Sequence, residues 1–259
     1  MSLAFFIFLF CSGSAVGFLS GLLGIGGGIV MFPILLYLLP LLGFEGIDVK
    51  SITGLTMIQG FSASLSAMLF YHSRRLVNKS LVLTLGLSLF LSSLAGAIVS
   101  RGVSDKSLLF IFGIMALAAS AMMCIPRSYS KDDVREDKVE FHKPTAVFAG
   151  IALGFFIGMV GQGGAFIIIP ILLYLLKIPL RVALGSTLAI GLFSSTAGLA
   201  GKIATGQVPF KIAGVLLLGA IPFAQLGGRV SQKTGTKFLR WFLALLISAT
   251  AMKIWYDLY

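Results

Sequence analysis

The chain has 259 residues, 58% of them hydrophobic and only 11% charged, with a mean hydropathy of +1.02. A soluble domain carries about 25% charged residues, so a water-exposed globule is excluded and lipid is the solvent that fits. The formal net charge of +11 comes from Lys and Arg in short connections between apolar stretches. No basic domain interleaved with aromatics is present, which argues against nucleic acid as a partner and for loops facing the cytoplasm.

Ten apolar runs follow one another at 2–23, 28–43, 51–71, 80–100, 107–126, 144–162, 164–178, 182–203, 210–228 and 238–256. They read as helices, because a backbone in lipid must satisfy its own hydrogen bonds and the alternation of barrel strands is missing. The fold class expected is an all-α integral membrane protein of about eight to ten helices or half-helices. The first run lacks a basic n-region and exceeds a signal-peptide core, so it reads as a mature segment.

In chain order, the first run carries Gly13, Gly17 and Gly21, spaced by four as in a small-residue packing face. It leads into GLLGIGGGIVMFP, residues 21–33, where Gly24, Gly26, Gly27 and Gly28 crowd an otherwise helical stretch. Glycine costs about 1 kcal/mol in a helix interior, so the chain is predicted to unwind at 24–28, and Pro33 should weaken the helix that follows. The third run carries Thr53, Thr56 and Gln59. The segment 127–143 has ten charged residues out of seventeen and reads as a solvated linker between two membrane repeats, 1–126 and 144–259. Beyond it, Gly150, Gly154 and Gly158 restore the spacing of four, and GMVGQGGAFIIIP, residues 158–170, brings a second cluster, Gly161, Gln162, Gly163 and Gly164. A second break is predicted at 161–165. The eighth run carries Ser186, Thr187, Ser194, Ser195 and Thr196, and the ninth carries Gln225.

These likenesses form a true repeat. Residues 13–40 align with 150–177 at an offset of 137 without gaps, identical at fifteen of twenty-eight positions, Pro33/Pro170 and Tyr37/Tyr174 included. The register then continues at an offset of 131, pairing Gly54 with Gly185, Thr56 with Thr187, Gly60 with Gly191, Ser64 with Ser195, Gly96 with Gly227 and Ser100 with Ser231. Whether the first two runs of each half span or re-enter, the number of crossings per half is odd. The halves are therefore expected to be inverted-topology repeats, with their broken helices meeting near the midplane.

Lys and Arg alternate unevenly between the two sides of the runs. The side of the termini holds six, Lys50, Arg101, Lys106, Lys202, Lys211 and Lys253; the other holds fourteen, among them Arg74, Arg75 and five in the linker. This predicts a cytoplasmic linker and both termini outside.

A helix that restarts after a break presents free N–H groups and the positive end of its dipole, which suits an anion. Gln162 stands where the first copy has Ile25, adding a side-chain donor. The candidate substrate-binding residues are Gly24, Gly26, Gly27, Gly28, Thr53, Thr56, Gln59, Gly161, Gln162, Gly163, Gly164, Ser186, Thr187 and Gln225. Each has a plainer reading, since glycines also pack helices and hydroxyls bond helix carbonyls. All nine acidic residues lie in connections or near a terminus, which disfavours a cation pump. Cys11 and Cys124 are too few and too distant for a metal site, and no cofactor is expected. An intramembrane enzyme lacks a mid-membrane His or carboxylate to pair with the serines. A channel or a non-transporting membrane subunit stays open, as does assembly as a homodimer.

The paired motifs GLLGIGGGIVMFPILLYLL and GMVGQGGAFIIIPILLYLL, each followed by a run rich in glycine and hydroxyls, resemble the TauE/SafE family of sulfite and organosulfonate exporters. The resemblance implies a secondary transporter of sulfur-containing anions with the repeated motifs at the transport path.

Overall fold

A computed structural model describes residues 3–73, 77–125, 141–161 and 165–258. Arg74, Arg75, Gln162, Gly163, Gly164 and most of the linker lie outside these described residues. Each of the ten apolar runs contains a helix. In the first half these are α1 (Leu3–Leu23), α2 (Gly28–Leu41), α3 (Val49–Ser73), α4 (Lys79–Val99) and α5 (Asp105–Cys124). In the second half they are α6 (Lys143–Val160), α7 (Ala165–Tyr174), α8 (Leu180–Ala204), α9 (Phe210–Lys233) and α10 (Thr236–Leu258). Eight of them are long and apolar enough to cross a membrane; α2 and α7, which follow the glycine clusters, are shorter. No strand occurs among the described residues.

Polar side chains set where several helices begin. Asn78 Oδ1 accepts from Leu81 N at 2.8 Å to start α4, and Ser104 Oγ accepts from Ser107 N at 3.2 Å to start α5. Each satisfies a donor that the first helical turn leaves open.

Burial sorts the helices into a centre and a rim. Within their apolar windows α3 is 67% and α8 78% buried, whereas the other long helices lie between 33% and 44%. These two are repeat partners, and they alone combine a buried position with many Ser, Thr and Gln residues. The rim turns leucines such as Leu83, Leu87 and Leu91 outward, as lipid contact requires.

The glycine faces explain how the halves hold together. A methyl group added to Gly13, Gly17 or Gly21 of α1 would overlap the carbonyls of Leu216, Ala220 and Ala224 on α9. Added to Gly150, Gly154 or Gly158 of α6, it would run into Ser88, Ser92 and Ser93 of α4, with Leu85 and Leu89 alongside. The offset of 131 carries Leu85, Leu89 and Ser93 onto Leu216, Ala220 and Ala224. Each half thus packs its first helix into the fourth helix of the other half, a reciprocity that a two-fold relation between halves requires.

The first two helices of each half form hairpins. Phe44, just beyond α2, meets Phe5 and Phe8 near the start of α1 in tilted ring contacts with centroids 5.3 and 5.9 Å apart, so the chain enters and leaves at one end of the bundle. The same end gathers the loops after α4 and α8, where Lys50 Nζ donates to Arg101 O at 3.0 Å and Ser100 meets Gln207. The second hairpin opens at the other end, where Tyr174 Oη donates to Ile125 O at 2.8 Å and accepts from Arg240 Nη2 at 2.8 Å.

Pro33 perturbs α2, as the sequence suggests, without ending it. The helix passes through it, winding as a π-turn over Ile34–Leu38 before continuing to Leu41. Pro33 cannot donate to the carbonyl four residues back, and Thr250 Oγ1 of α10 donates to that Ile29 O at 3.4 Å instead.

Candidate functional site

The chain unwinds where the glycines predicted it. Helix α1 ends at Leu23 and α2 starts at Gly28, with Gly24, Gly26 and Gly27 at φ of +68°, +64° and +80°, a left-handed path that side chains disfavour. In the second half Gly161 closes α6 at φ +79° and α7 begins at Ala165. Gly24 and Gly161 are both buried against the central helices of the opposite half. A Cβ on Gly24 would approach Leu184 O of α8 to 2.8 Å, while one on Gly161 would overlap Thr53 O of α3. Leu184 and Thr53 are themselves repeat partners.

Around the first break the structure gathers polar atoms without partners. Gln59 is fully buried on α3, and neither its amide nitrogen nor its amide oxygen has a hydrogen bond in the protein. A Cβ on Gly27 would lie 2.9 Å from Gln59 Nε2, so the amide lies against that glycine. One residue on, a Cβ at Gly60 would stand 3.2 Å from Gly26 O and 3.9 Å from Ser195 Oγ of α8. Ser195 Oγ is also buried and unpartnered, as is Thr187 Oγ1 on the same helix between Leu184 and Ser195. An unmet buried polar group costs about 1–3 kcal/mol.

At the second break the described residue, Gly161, is held by a hydrogen bond instead. Thr56 Oγ1 donates to Gly161 O at 2.7 Å and to Thr53 O at 3.0 Å. Thr53 Oγ1 donates to Lys50 O at 2.6 Å and accepts from Lys202 Nζ at 2.9 Å. Ser186 Oγ accepts from Asn78 N at 3.0 Å, a role in holding the α3–α4 connection rather than in the cluster. Gln225 is exposed on the outer face of α9 and takes no part, because its neighbours Ala224, Gly227 and Gly228 form the buried face of that stretch.

A second residue was misplaced by sequence reasoning. Lys202 is not a loop charge: it is fully buried inside α8, with Nζ bonded to Thr53 Oγ1, Ser100 Oγ, Gln207 Oε1 and Met159 O. A lysine next to the end of an apolar run ordinarily snorkels to the interface. The signal that separates it is the repeat, which pairs Lys202 with Tyr71, the last residue of the third apolar run. Without Lys202 the loop charges stand at five against fourteen, so the asymmetry of the two sides grows.

Two unwound breaks held against a polar central pair is the arrangement the paired motifs imply, and comparison with known proteins gives it a family. Residues 9–254 match the family described as Sulfite exporter TauE/SafE. The chain belongs to the TauE/SafE family. Among its relatives is a probable membrane transporter protein of Methanocaldococcus jannaschii, 28% identical over 250 residues that cover 93% of this chain and 91% of the relative. Another, from Xylella fastidiosa, is 30% identical over 259 residues, covering 94% and 93%. A third, from Bacillus subtilis, is 23% identical over 267 residues, covering 97% and 98%. No solved structure matches. This TauE/SafE protein is thus a multi-pass membrane protein of a transporter family, and the matched region takes in the glycine clusters of both halves.

Proposed function

We propose that this chain carries a small sulfur-containing anion, sulfite or a sulfonate, out across the prokaryotic inner membrane by alternating access between two inverted-topology repeats. The observation that carries the reading is Gln59. Its amide is fully buried, lacks any protein partner, and lies against the left-handed turn of Gly27. A donor left unmet in a membrane interior is a cost the fold would shed by substitution unless something binds there. With Ser195 and Thr187 it offers neutral donors to an oxyanion, and the start of α2 adds backbone N–H groups.

The family description supports this class of anion, and the loop-charge asymmetry supports a cytoplasmic linker with both termini outside. Export needs no dedicated coupling ion: a potential negative inside contributes about 2.3 kcal/mol per 100 mV to a leaving monoanion, roughly fifty-fold in concentration. Catalysis forms no part of the reading.

Purified protein in proteoliposomes is expected to show saturable sulfite or sulfonate uptake accelerated by the same anion on the other side. Ohmic unitary currents without counterflow would instead identify a channel.

A further inference from the structure

Lys202 is the one fully buried charged side chain among the described residues, and every acceptor it meets is neutral. Its Nζ lies 2.7 Å from Ser100 Oγ, 2.9 Å from Thr53 Oγ1, 2.9 Å from Gln207 Oε1 and 3.1 Å from Met159 O. An ammonium has three donors, so its hydrogen-bonding capacity is met. Its charge has no carboxylate among these partners, and an isolated charge in an apolar interior is expensive to keep.

The repeat supplies a control inside the same molecule. The offset of 131 pairs Lys202 with Tyr71 and Ser100 with Ser231, and the offset of 137 pairs Gly21 with Gly158, the neighbour of Met159. Tyr71 Oη donates to Ser231 Oγ at 2.7 Å and to Gly21 O at 3.1 Å. The first half therefore makes the corresponding junction, a serine plus a carbonyl in the last turns of the hairpin helix, with a neutral phenol. Architecture asks for a donor at this place. It does not ask for a cation.

The extra charge also sits at the second break. Thr53, which accepts from Lys202, packs directly against Gly161, and the Gly161 carbonyl is occupied by Thr56. The hydroxyls of Thr53 and Ser100 pass their own protons to Lys50 O and Ala97 O, which leaves their lone pairs facing the ammonium. These neutral acceptors are exchangeable for a better one.

We propose that Lys202 is the countercharge for the transported anion: its ammonium exchanges one of its neutral acceptors for an oxygen of a small sulfur oxyanion beside Thr53 and Gly161. This rests on the reading of the chain as an anion carrier. A compact ammonium on a flexible stem suits a small tetrahedral or pyramidal anion that offers single oxygens. Gln59 and Ser195 then hold an anion at the first break through neutral donors alone, so the two breaks differ in strength.

Binding of sulfite and of methanesulfonate to the detergent-purified full chain, followed by calorimetry, tests the proposal in wild type, Lys202→Met, Lys202→Gln and Tyr71→Phe. The expected result is a loss of affinity of at least about tenfold for both anions in the two Lys202 variants, as for a lost bond to a charged group, and a change within about twofold in Tyr71→Phe. Melting temperature without anion measures the share of Lys202 that is only structural. Lys202→Met or Lys202→Gln binding within twofold of wild type overturns the proposal and leaves the carrier reading intact, whereas a wild type that binds neither anion overturns both. If both Lys202 variants fail to fold, carbamylation of wild-type lysines by cyanate decides. Saturating methanesulfonate is expected to slow Lys202 relative to exposed Lys211 by at least threefold, and an unchanged ratio overturns the assignment.

Discussion

Gln59 and Gly27 form the smallest unit on which the transport reading stands. Replacing Gln59 by Leu removes two unmet polar atoms from a buried position, so the protein is expected to melt at the same or a higher temperature while losing at least about tenfold in sulfite affinity. A fall in both together would assign the amide a structural role. Gly27 at φ +80° lies against both Val16 and Gln59, and Gly27→Leu is expected to abolish anion binding in a protein that still elutes as a single species. At this scale the sequence was informative about backbone and less so about side chains. Clustered glycines have few uses inside an apolar run, so both breaks could be placed to within a residue or two. Lys202 and Gln225 were misjudged because one sequence does not show which way a helical residue points. Lys202 reads as interfacial and is buried; Gln225 reads as buried and is exposed.

Helices α3 and α8 carry the polar residues and are shielded from lipid by the rest. The rim helices do a different job, and the α1–α9 contact shows it: backbone meets backbone where glycine meets a carbonyl. Gly17→Val is therefore expected to fail differently from Gly27→Leu. It should lower the melting temperature and the yield of monodisperse protein before any change in anion affinity can be read, because the α9 backbone cannot yield to a side chain. A Gly17→Val protein with wild-type thermal stability would remove α1–α9 packing as the reason for the spacing of four. The spacing was visible in the sequence, but the partner helix was not, since nothing local ties residue 17 to residue 220. The fate of Pro33 was hidden for the same reason: the hydroxyl that meets Ile29 O comes from Thr250, more than two hundred residues away.

For the whole molecule, alternating loop charges predict which end faces the cytoplasm. With Cys11 and Cys124 replaced, Gly206→Cys in intact cells is expected to react with a membrane-impermeant maleimide, and Lys177→Cys to react only after the membrane is opened. The reverse pattern would invert the orientation. Gly206 and Lys177 already adopt left-handed backbone in turns between helices, so the second site tests a residue that bears some strain even before substitution. Duplication and the polar third run of each half were readable from one sequence because a repeat makes each half a check on the other; that these runs form the buried centre was not.

The exchange of first and fourth helices between halves also sets a timetable for synthesis. Gly17 finds its seat only when Ala220 has been made, 203 residues later. A ribosome adding about 5–20 residues per second takes about 10 to 40 s to get there. Throughout that interval the glycine face of α1 waits in the bilayer without its partner, and the insertion machinery or lipid must cover it. A half-length chain ending before the linker should be recognised as unfinished and degraded, and co-expression of residues 1–126 with 127–259 as two chains should rescue both.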